Sequence, residues 1–341
     1  MSNQMLKQEL FFSKTNEFLN IYLPEQAAKS NNTIETYRDA LTVFRRYITN
    51  IKKLSIRKFK FADCTHDFLL DYLSYLKTSR FAESTCNNRL AAIRAYLWYV
   101  SDGDVAMQSV ALTASHVPFL KEPKITKEII KENDFAELLN APPNTKRGIR
   151  DRTIMILLYD TAVRISELID LKISSLNLMS STPYIKVHGK GDKERIVSIT
   201  DKTVDHLKLY MSHYHKDCNP DIPLFYTVIK GNVGKMSPGN VSRLINKYAE
   251  QIRPEYPDLP KHVHCHMFRR TRATNLYQNG VALELVSRIL GHSSTQTTRI
   301  YASPSIEMLK KAMTSANPNI PVEKQLWPDS EDEIARLCGL R

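Results

Sequence analysis

Four short segments carry residue types from which a reaction could be built. Thr161-Ala-Val-Arg-Ile-Ser-Glu-Leu168 sets Arg164 just before a helix start marked by Ser166, and Gly189-Lys-Gly191 holds Lys190 at the tip of a turn. His266-Met-Phe-Arg269 puts a histidine and an arginine at i,i+3, on one helix face, and Leu290-Gly-His292 is followed nine residues later by Tyr301. Two arginines, a lysine, two histidines and a tyrosine suit metal-free transfer at a phosphodiester. The diester is anionic and gains charge on its non-bridging oxygens when attacked; arginine forks bind those oxygens bidentately and stay charged at any working pH. A phenol with a pKa of about 10 is a poor nucleophile at neutral pH and needs positive charge or a base beside it. The leaving oxygen needs a proton, which a lysine at a hairpin tip can supply, while histidines donate to the phosphate or exchange the nucleophile's proton.

Each segment also has an ordinary reading. Arg164 and Glu167 at i,i+3 can be a surface ion pair worth about 0.3 kcal/mol. Gly189–Gly191 can be a plain hairpin turn with Lys190 solvated, His266 and Arg269 can line a helix, and Gly291 can end one, leaving His292 as an incidental terminal cation. Tyr301 is one of 16 tyrosines and can be simply buried. The acidic residues are dispersed rather than grouped as a pair of Mg2+ ions would require, and no phosphate-cradling glycine loop is present, so neither metal nor nucleotide cofactor is expected. His262, His264 and His266 would share one face of an extended segment, as zinc ligands do, but a helix start at His266 breaks that alternation, and no metal site is assigned.

These residues need elements to hold them. Ile34, Tyr37, Leu41, Phe44 and Ile48 recur at spacings of three and four, which predicts a helix from Thr33 with Arg38, Arg45 and Arg46 largely off its apolar face. A second helix is predicted over Phe68–Lys77 and a third from Ser84 as N-cap, carrying Leu90, Ile93 and Leu97 beside Arg89 and Arg94. With an earlier helix around Met5–Leu19, the first third reads as an all-helical bundle whose basic side chains either grip phosphates or are merely solvated. Pro118 and Pro123 mark a linker, and a new unit opens with helices at Lys131–Leu139, Asp151–Thr161 and from Ser166. Tyr184–Val187 and Arg195–Ile199 flank the glycine turn and predict a β-hairpin. Helices follow at Thr203–His213, Gly239–Gln251, His266–Asn279 and Leu283–Leu290, and a short one at Asp332–Leu337. The organisation expected is a helical domain over 1–118, a linker over 119–126, a second domain over 127–316 and a tail over 317–341.

Composition bounds the partners. The 341 residues suffice for about two domains, and 42% hydrophobic with 25% charged residues is ordinary for folded soluble protein. A run of six, Ile154–Tyr159, is as long as any apolar stretch, far short of a membrane span. Lys7 and Glu9 stand where a secretory signal would be apolar, and the 5 cysteines form no CxxC pair, so a reduced, cytoplasmic protein is expected. The net charge of +12 is shared: residues 1–125 hold 17 Lys/Arg against 12 Asp/Glu, and residues 126–341 hold 31 against 24. Two basic surfaces point to a polyanion, nucleic acid first among them, or to nothing beyond a basic soluble protein.

Order and spacing separate these readings where single residues do not. TAVRISEL, VHGKGDKERIV, HMFRRTRAT and LGHSSTQTTRIY, over residues 161–301, resemble the tyrosine recombinase (phage integrase) family, and the helical first third resembles its core-binding domain more loosely. The resemblance implies an N-terminal all-α core-binding domain and a C-terminal mixed, mainly α catalytic domain with a small β-sheet, clamped on double-stranded DNA. It implies that Arg164 and Arg269 hold the scissile phosphate, Lys190 is the general acid, His266 and His292 assist, Glu167 supports Arg164, and Tyr301 forms a 3′-phosphotyrosine without metal or ATP. Arg38, Arg45, Arg89, Arg94, Arg270 and Arg272 are the candidate DNA contacts. A dimer on one site and a tetramer on two are expected, with a tail helix passed to a neighbour and other recombinases or DNA-bending proteins as possible accessories. The sequence departs from the family at Ala162-Val163, where a glycine is usual before the arginine, and at Arg270, where a histidine often stands. The leading role is integration or transposition of a mobile element. Xer-type dimer resolution, which the departures slightly disfavour, and a DNA-binding protein that has lost activity are the alternatives; a type IB topoisomerase would share the chemistry.

Overall fold

The computed structural model of the chain describes residues 10–102, 105–123, 128–189, 194–216, 219–292, 294–301, 304, 306–316 and 330–340. Contacts divide the chain into two units, residues 1–126 and 127–341. Among the described residues no helix is long and apolar enough to cross a membrane.

The N-terminal unit is helical. Helix α1 opens over Thr15–Glu17 and continues over Phe18–Gln26 in wider π-type turns. It is followed by α2 (Asn31–Arg46, extended by a wide turn over Tyr47–Ile51), α3 (His66–Thr78), α4 (Glu83–Ser101) and α5 (Val105–Ser115). Ser30 and Thr65 cap α2 and α3 by accepting the N–H groups of Thr33 and Phe68. Ser84, expected as a cap, stands inside the first turn of α4, whose N-cap is Ala82. The helix expected at Met5–Leu19 is displaced towards Gln26, and its first residues lie outside those described. Phe11 explains the shift: it is fully buried, its N–H donates to the Phe59 carbonyl, and its carbonyl accepts the Tyr96 hydroxyl at 2.5 Å. Around it, the rings of Phe12, Phe44, Phe59, Phe61 and Tyr96 lie with centroids between 5.0 and 5.6 Å away. A chain pulled into an aromatic core this way passes through turns over residues 11–14, and its helix begins only at Thr15.

The C-terminal unit begins with α6 (Glu132–Asn140), α7 (Lys146–Thr161) and α8 (Ile165–Asp170). A three-stranded antiparallel sheet follows, β1 (Leu176–Asn177), β2 (Tyr184–His188) and β3 (Glu194–Ser198), in that order, with Val187 opposite Arg195. Then come α9 (Asp201–Tyr214), a hairpin of β4 (Tyr226–Ile229) and β5 (Asn232–Lys235), and helices α10 (Pro238–Ile252), α11 (Cys265–Gln278) and α12 (Leu283–Leu290). Two further helices, α13 (Ile306–Ala316) and α14 (Glu331–Leu337), complete the described chain. The β4–β5 hairpin is absent from the sequence reading; its turn uses Lys230 and Gly231, both at positive φ (50° and 82°), and a lysine there hides the usual turn signature. Apolar residues of α7, among them Ile154, Leu157 and Leu158, share one core with Val187, Val197, Leu207, Ile245 and Phe268. A small separate cluster of Ala162, Ala273, Val286, Leu290 and Tyr301 underlies the residues of chemical interest.

The first turn of α7 lies against the loop that Pro142 and Pro143 shape. A Cβ on Gly148 would stand 1.9 Å from the Pro143 carbonyl oxygen and within 3.0 Å of its backbone carbon and nitrogen, with no flexible side chain among these nearest atoms to give way. Gly148→Ala is therefore expected to cost about 2 kcal/mol. Thermal unfolding should show the transition of the C-terminal unit lowered by several degrees; an unchanged melt would contradict this close approach.

Candidate active site

The site is built around one carboxylate. Arg164 is the N-cap of α8, with extended backbone (φ −71°, ψ 152°), and Glu167 occupies the third helical position, from which a side chain reaches back to the cap. The Arg164 N–H donates to Glu167 Oε2 at 2.7 Å and its Nη1 donates to Oε1 at 3.0 Å. From β3, Arg195 donates Nη1 to Oε1 at 2.9 Å and Nη2 to Oε2 at 2.8 Å, a bidentate fork. The Glu167 side chain is only 4% exposed. Burial opposes its ionisation, but the Arg195 fork and the Arg164 donors outweigh burial and hold the carboxyl below its ordinary value. Two guanidinium groups on one carboxylate leave a positive charge over, and Arg164, 39% exposed against 15% for Arg195, presents it.

Arg195 is the residue the sequence reading missed. The signal was available: Arg195 and Val197 share a strand face, and an arginine on an inward-facing row needs a buried partner. Its guanidinium also lies under the turn that ends α12. Gly291 takes φ +63°, and a Cβ there would be 2.9 Å from Cζ, Nε and Nη1 of Arg195. Glycine at 291 thus answers both a left-handed backbone and the close approach of a charged group.

Arg269, from α11, is 1% exposed. Nη1 donates to the Ala162 carbonyl at 2.7 Å and Nη2 to the Leu290 carbonyl at 2.6 Å, with Nη2 also 3.0 Å from His292 Nε2. Burial first and Arg164 second push its pKa down to about 10, which leaves it charged at neutral pH. Ala162 ends α7 in the left-handed region at φ 50°, the conformation that explains why glycine is usual there; alanine bears the strain, and its methyl is fully buried beside Tyr301. His292 follows Gly291, and its Nδ1 is 2.8 Å from Thr298 Oγ1. Burial, then Arg269, Arg164, His266 and Arg195, drive its pKa down to about 4, so the ring is neutral at pH 7. The Tyr301 ring lies nearly parallel to that of His292, 21° between planes and 6.2 Å between centroids. Tyr301 is 3% exposed, and its N–H donates to the Thr298 carbonyl. His266 lies exposed in the first turn of α11.

The other expected residues are placed as follows. Lys190 lies outside the described residues; the strands that flank it are paired out to His188 and Glu194. Arg272 pairs with Asp160 at 3.2 Å and lies over the Tyr159 ring, and Arg270 donates to the Glu128 carbonyl at 2.8 Å. In the N-terminal unit, Arg94 donates to the carbonyls of Ala114 and Val117, and Arg89 lies over the Phe81 ring. Arg38 bonds Glu35 and Asn20, and Arg45 is exposed. Arg94 and Arg272 are thus committed within their own units. His262 and His264 are exposed, and among the described residues no group of three His, Cys, Asp or Glu is placed to hold a metal ion.

Comparison with known proteins agrees with this geometry. Residues 128–308 match the phage integrase family and residues 16–101 the N-terminal SAM-like domain of phage integrases. The chain belongs to the phage integrase family. A tyrosine recombinase XerC of Myxococcus xanthus is 30% identical over 308 residues, covering 87% of this chain and 95% of that one. Among solved structures, the XerH site-specific recombinase bound to a palindromic difH substrate shares the fold with a TM-score of 0.66 at 23% identity, over 82% of this chain and 79% of that one. The Tn1549 transposon integrase in complex with transposon right end DNA does so with a TM-score of 0.67 at 16% identity, over 91% and 98%. In this phage integrase the helical first unit and the mainly helical second unit with its small sheets are as expected.

The electrostatics give a signed pH dependence. Glu167 is more acidic folded than unfolded, so its contribution is full above its ordinary value of 4.5 and is lost as pH falls through the folded value. His292 is depressed from 6.5 to about 4, so the unfolded chain binds the extra proton between those values and stability rises with pH across that window. Denaturant midpoints of the C-terminal unit should therefore fall steadily from pH 7 towards pH 4. Glu167→Gln should lower the unfolding free energy at pH 7 by about 3 kcal/mol for loss of a buried ion-pair partner, and with it the midpoint, and flatten the slope below pH 4.5. A wild-type midpoint independent of pH would contradict the assignment.

Proposed function

We propose that the protein is a site-specific DNA recombinase that cleaves and rejoins strands through a 3′-phosphotyrosine, needing neither metal nor ATP. The observation that carries this reading is the convergence of Arg164, Arg269, His292 and Tyr301, from four separate segments, on one cluster. Arg164 and Arg269 bind the non-bridging oxygens of the scissile phosphate and offset the charge that develops there. The Tyr301 hydroxyl passes its proton to His266 as its oxygen attacks phosphorus, the bond to the 5′ oxygen breaks, and Lys190 protonates that oxygen. His266 and His292 assist in moving protons and stabilising charge. The phosphotyrosine keeps the energy of the bond, so a 5′ hydroxyl from a second strand reseals it by the reverse step.

DNA is the substrate in this reading, and the basic excess of both halves supports it through counterion release on binding. Two sites must meet, so protomers pair on one site and four assemble on two. Helix α14, with Glu331, Asp332 and Glu333 in its first turn and Leu337 68% exposed, is the segment offered to a neighbour. Mobile-element integration is one role with this chemistry. Xer-type resolution is the second, supported by the match to XerC over 95% of that protein's length.

A nicked target duplex in EDTA, resolved on a denaturing gel, tests the chemistry. Wild type should form a covalent protein–DNA adduct, and Tyr301→Phe should bind DNA but form none. An adduct persisting in Tyr301→Phe would remove Tyr301 as nucleophile. Deleting residues 318–341 should weaken pairing of two DNA sites while leaving adduct formation on one site; unchanged recombination would remove the tail from assembly.

A further inference from the structure

We infer that Thr298 is a positioning residue of the cleavage site: its buried hydroxyl accepts the Nδ1 proton of His292 and fixes the imidazole in the tautomer with a bare Nε2. The inference rests on the cleavage reading above for its consequence, but its geometry stands apart from it. Arg269 Nη2 lies 3.0 Å from His292 Nε2, and a guanidinium offers only donors. Nε2 must therefore accept, and a neutral ring then carries its proton on Nδ1. The atom facing Nδ1, at 2.8 Å, is Thr298 Oγ1. Thr298 is fully buried. The same residue accepts the Tyr301 N–H on its carbonyl at 2.9 Å and donates its own N–H to the Thr295 carbonyl. One side chain and its backbone thus set the histidine ring and the start of the tyrosine turn together.

The groups around His292 explain why a hydroxyl serves here. Arg269 and His266 face it from α11, Arg164 from the turn before α8, Arg195 from β3, and Tyr301 from its own segment. The nearby carboxylate, Glu167, already accepts from four arginine donors. A carboxylate at Nδ1 would hold the ring as a cation among arginines; a threonine orients it while leaving it neutral. The reaction then follows a defined order. A bound phosphate takes over the Nη2 donor of Arg269, and Nε2, bare and facing an anion, gains one proton from solvent. Because Nδ1 keeps its proton on Thr298, His292 contacts the phosphate as the imidazolium, and engagement of the phosphate is coupled to uptake of one proton at Nε2.

The experiment combines nitrogen-15 NMR of the histidine rings in the full-length protein with the adduct assay across pH, on wild type, Thr298→Ser and Thr298→Val. The His292 signals are assigned by their loss in His292→Gln. Free wild type and Thr298→Ser should show protonated Nδ1 and unprotonated Nε2, while Thr298→Val should lose that single tautomer. Adduct formation by wild type and Thr298→Ser should fall along one shared titration as pH rises. Thr298→Val should be slower by about tenfold or more and its titration displaced. Protonated Nε2 in the free wild type would overturn the inference, as would a Thr298→Val protein with the wild-type tautomer and pH profile. Absence of any adduct from wild type would instead count against the cleavage reading, with the NMR still deciding the role of Thr298.

Discussion

A carboxylate shared by two arginines is the constraint on which the second unit depends. Glu167 accepts four donors, two from Arg164 and two from Arg195, and is almost wholly buried. Removing a charge of this kind from water is costly, and the cost is offset only when every lone pair is engaged. That requirement ties the start of α8 to strand β3, and hence the first arginine to the hairpin that carries the glycine-flanked lysine. It also sets the sign of the field: after pairing, one positive charge is left, and Arg269 behind it brings a second.

The same economy governs Arg269. Its Nη1 and Nη2 donate to the carbonyls of Ala162 and Leu290, both at the ends of helices. Carbonyls at helix ends lack intrahelical donors, so a buried guanidinium satisfies them while they aim it. The left-handed Ala162 and Gly291 are what bring those two carbonyls to one place. Backbone conformation, rather than side-chain bulk, therefore positions the second arginine.

How much of this was legible in the sequence differs by residue. Arg164, Arg269, His292 and Tyr301 were found because their order and spacing along the chain identify a family. Glu167 was found as a partner of Arg164 three residues on, a support that the family resemblance implies; its place at the third helical position after the Arg164 cap came from the structure. Arg195 was missed because a strand arginine looks like any exposed cation until its row is known to face inwards, and Thr298 because a threonine beside another in a polar stretch carries no signal of its own. Pairings across twenty or more residues, such as Arg94 with the Ala114 carbonyl or Arg272 with Asp160, are invisible to local pattern; they convert expected surface contacts into internal ones. The β4–β5 hairpin escaped because lysine stands where the turn needs a positive φ.

The fit of Arg195 under Gly291 has a consequence for the history of the sequence. The space that a methyl group would take at 291 is filled by a guanidinium whose own place is fixed by Glu167. Positions 167, 195 and 291 are therefore bound into one packing unit. A lineage that abandons the arginine frees the glycine from the steric constraint and orphans the glutamate, while a lineage that keeps the arginine can replace neither partner. Covariation among these three columns, across descendants otherwise diverged, is the imprint such a packing constraint leaves.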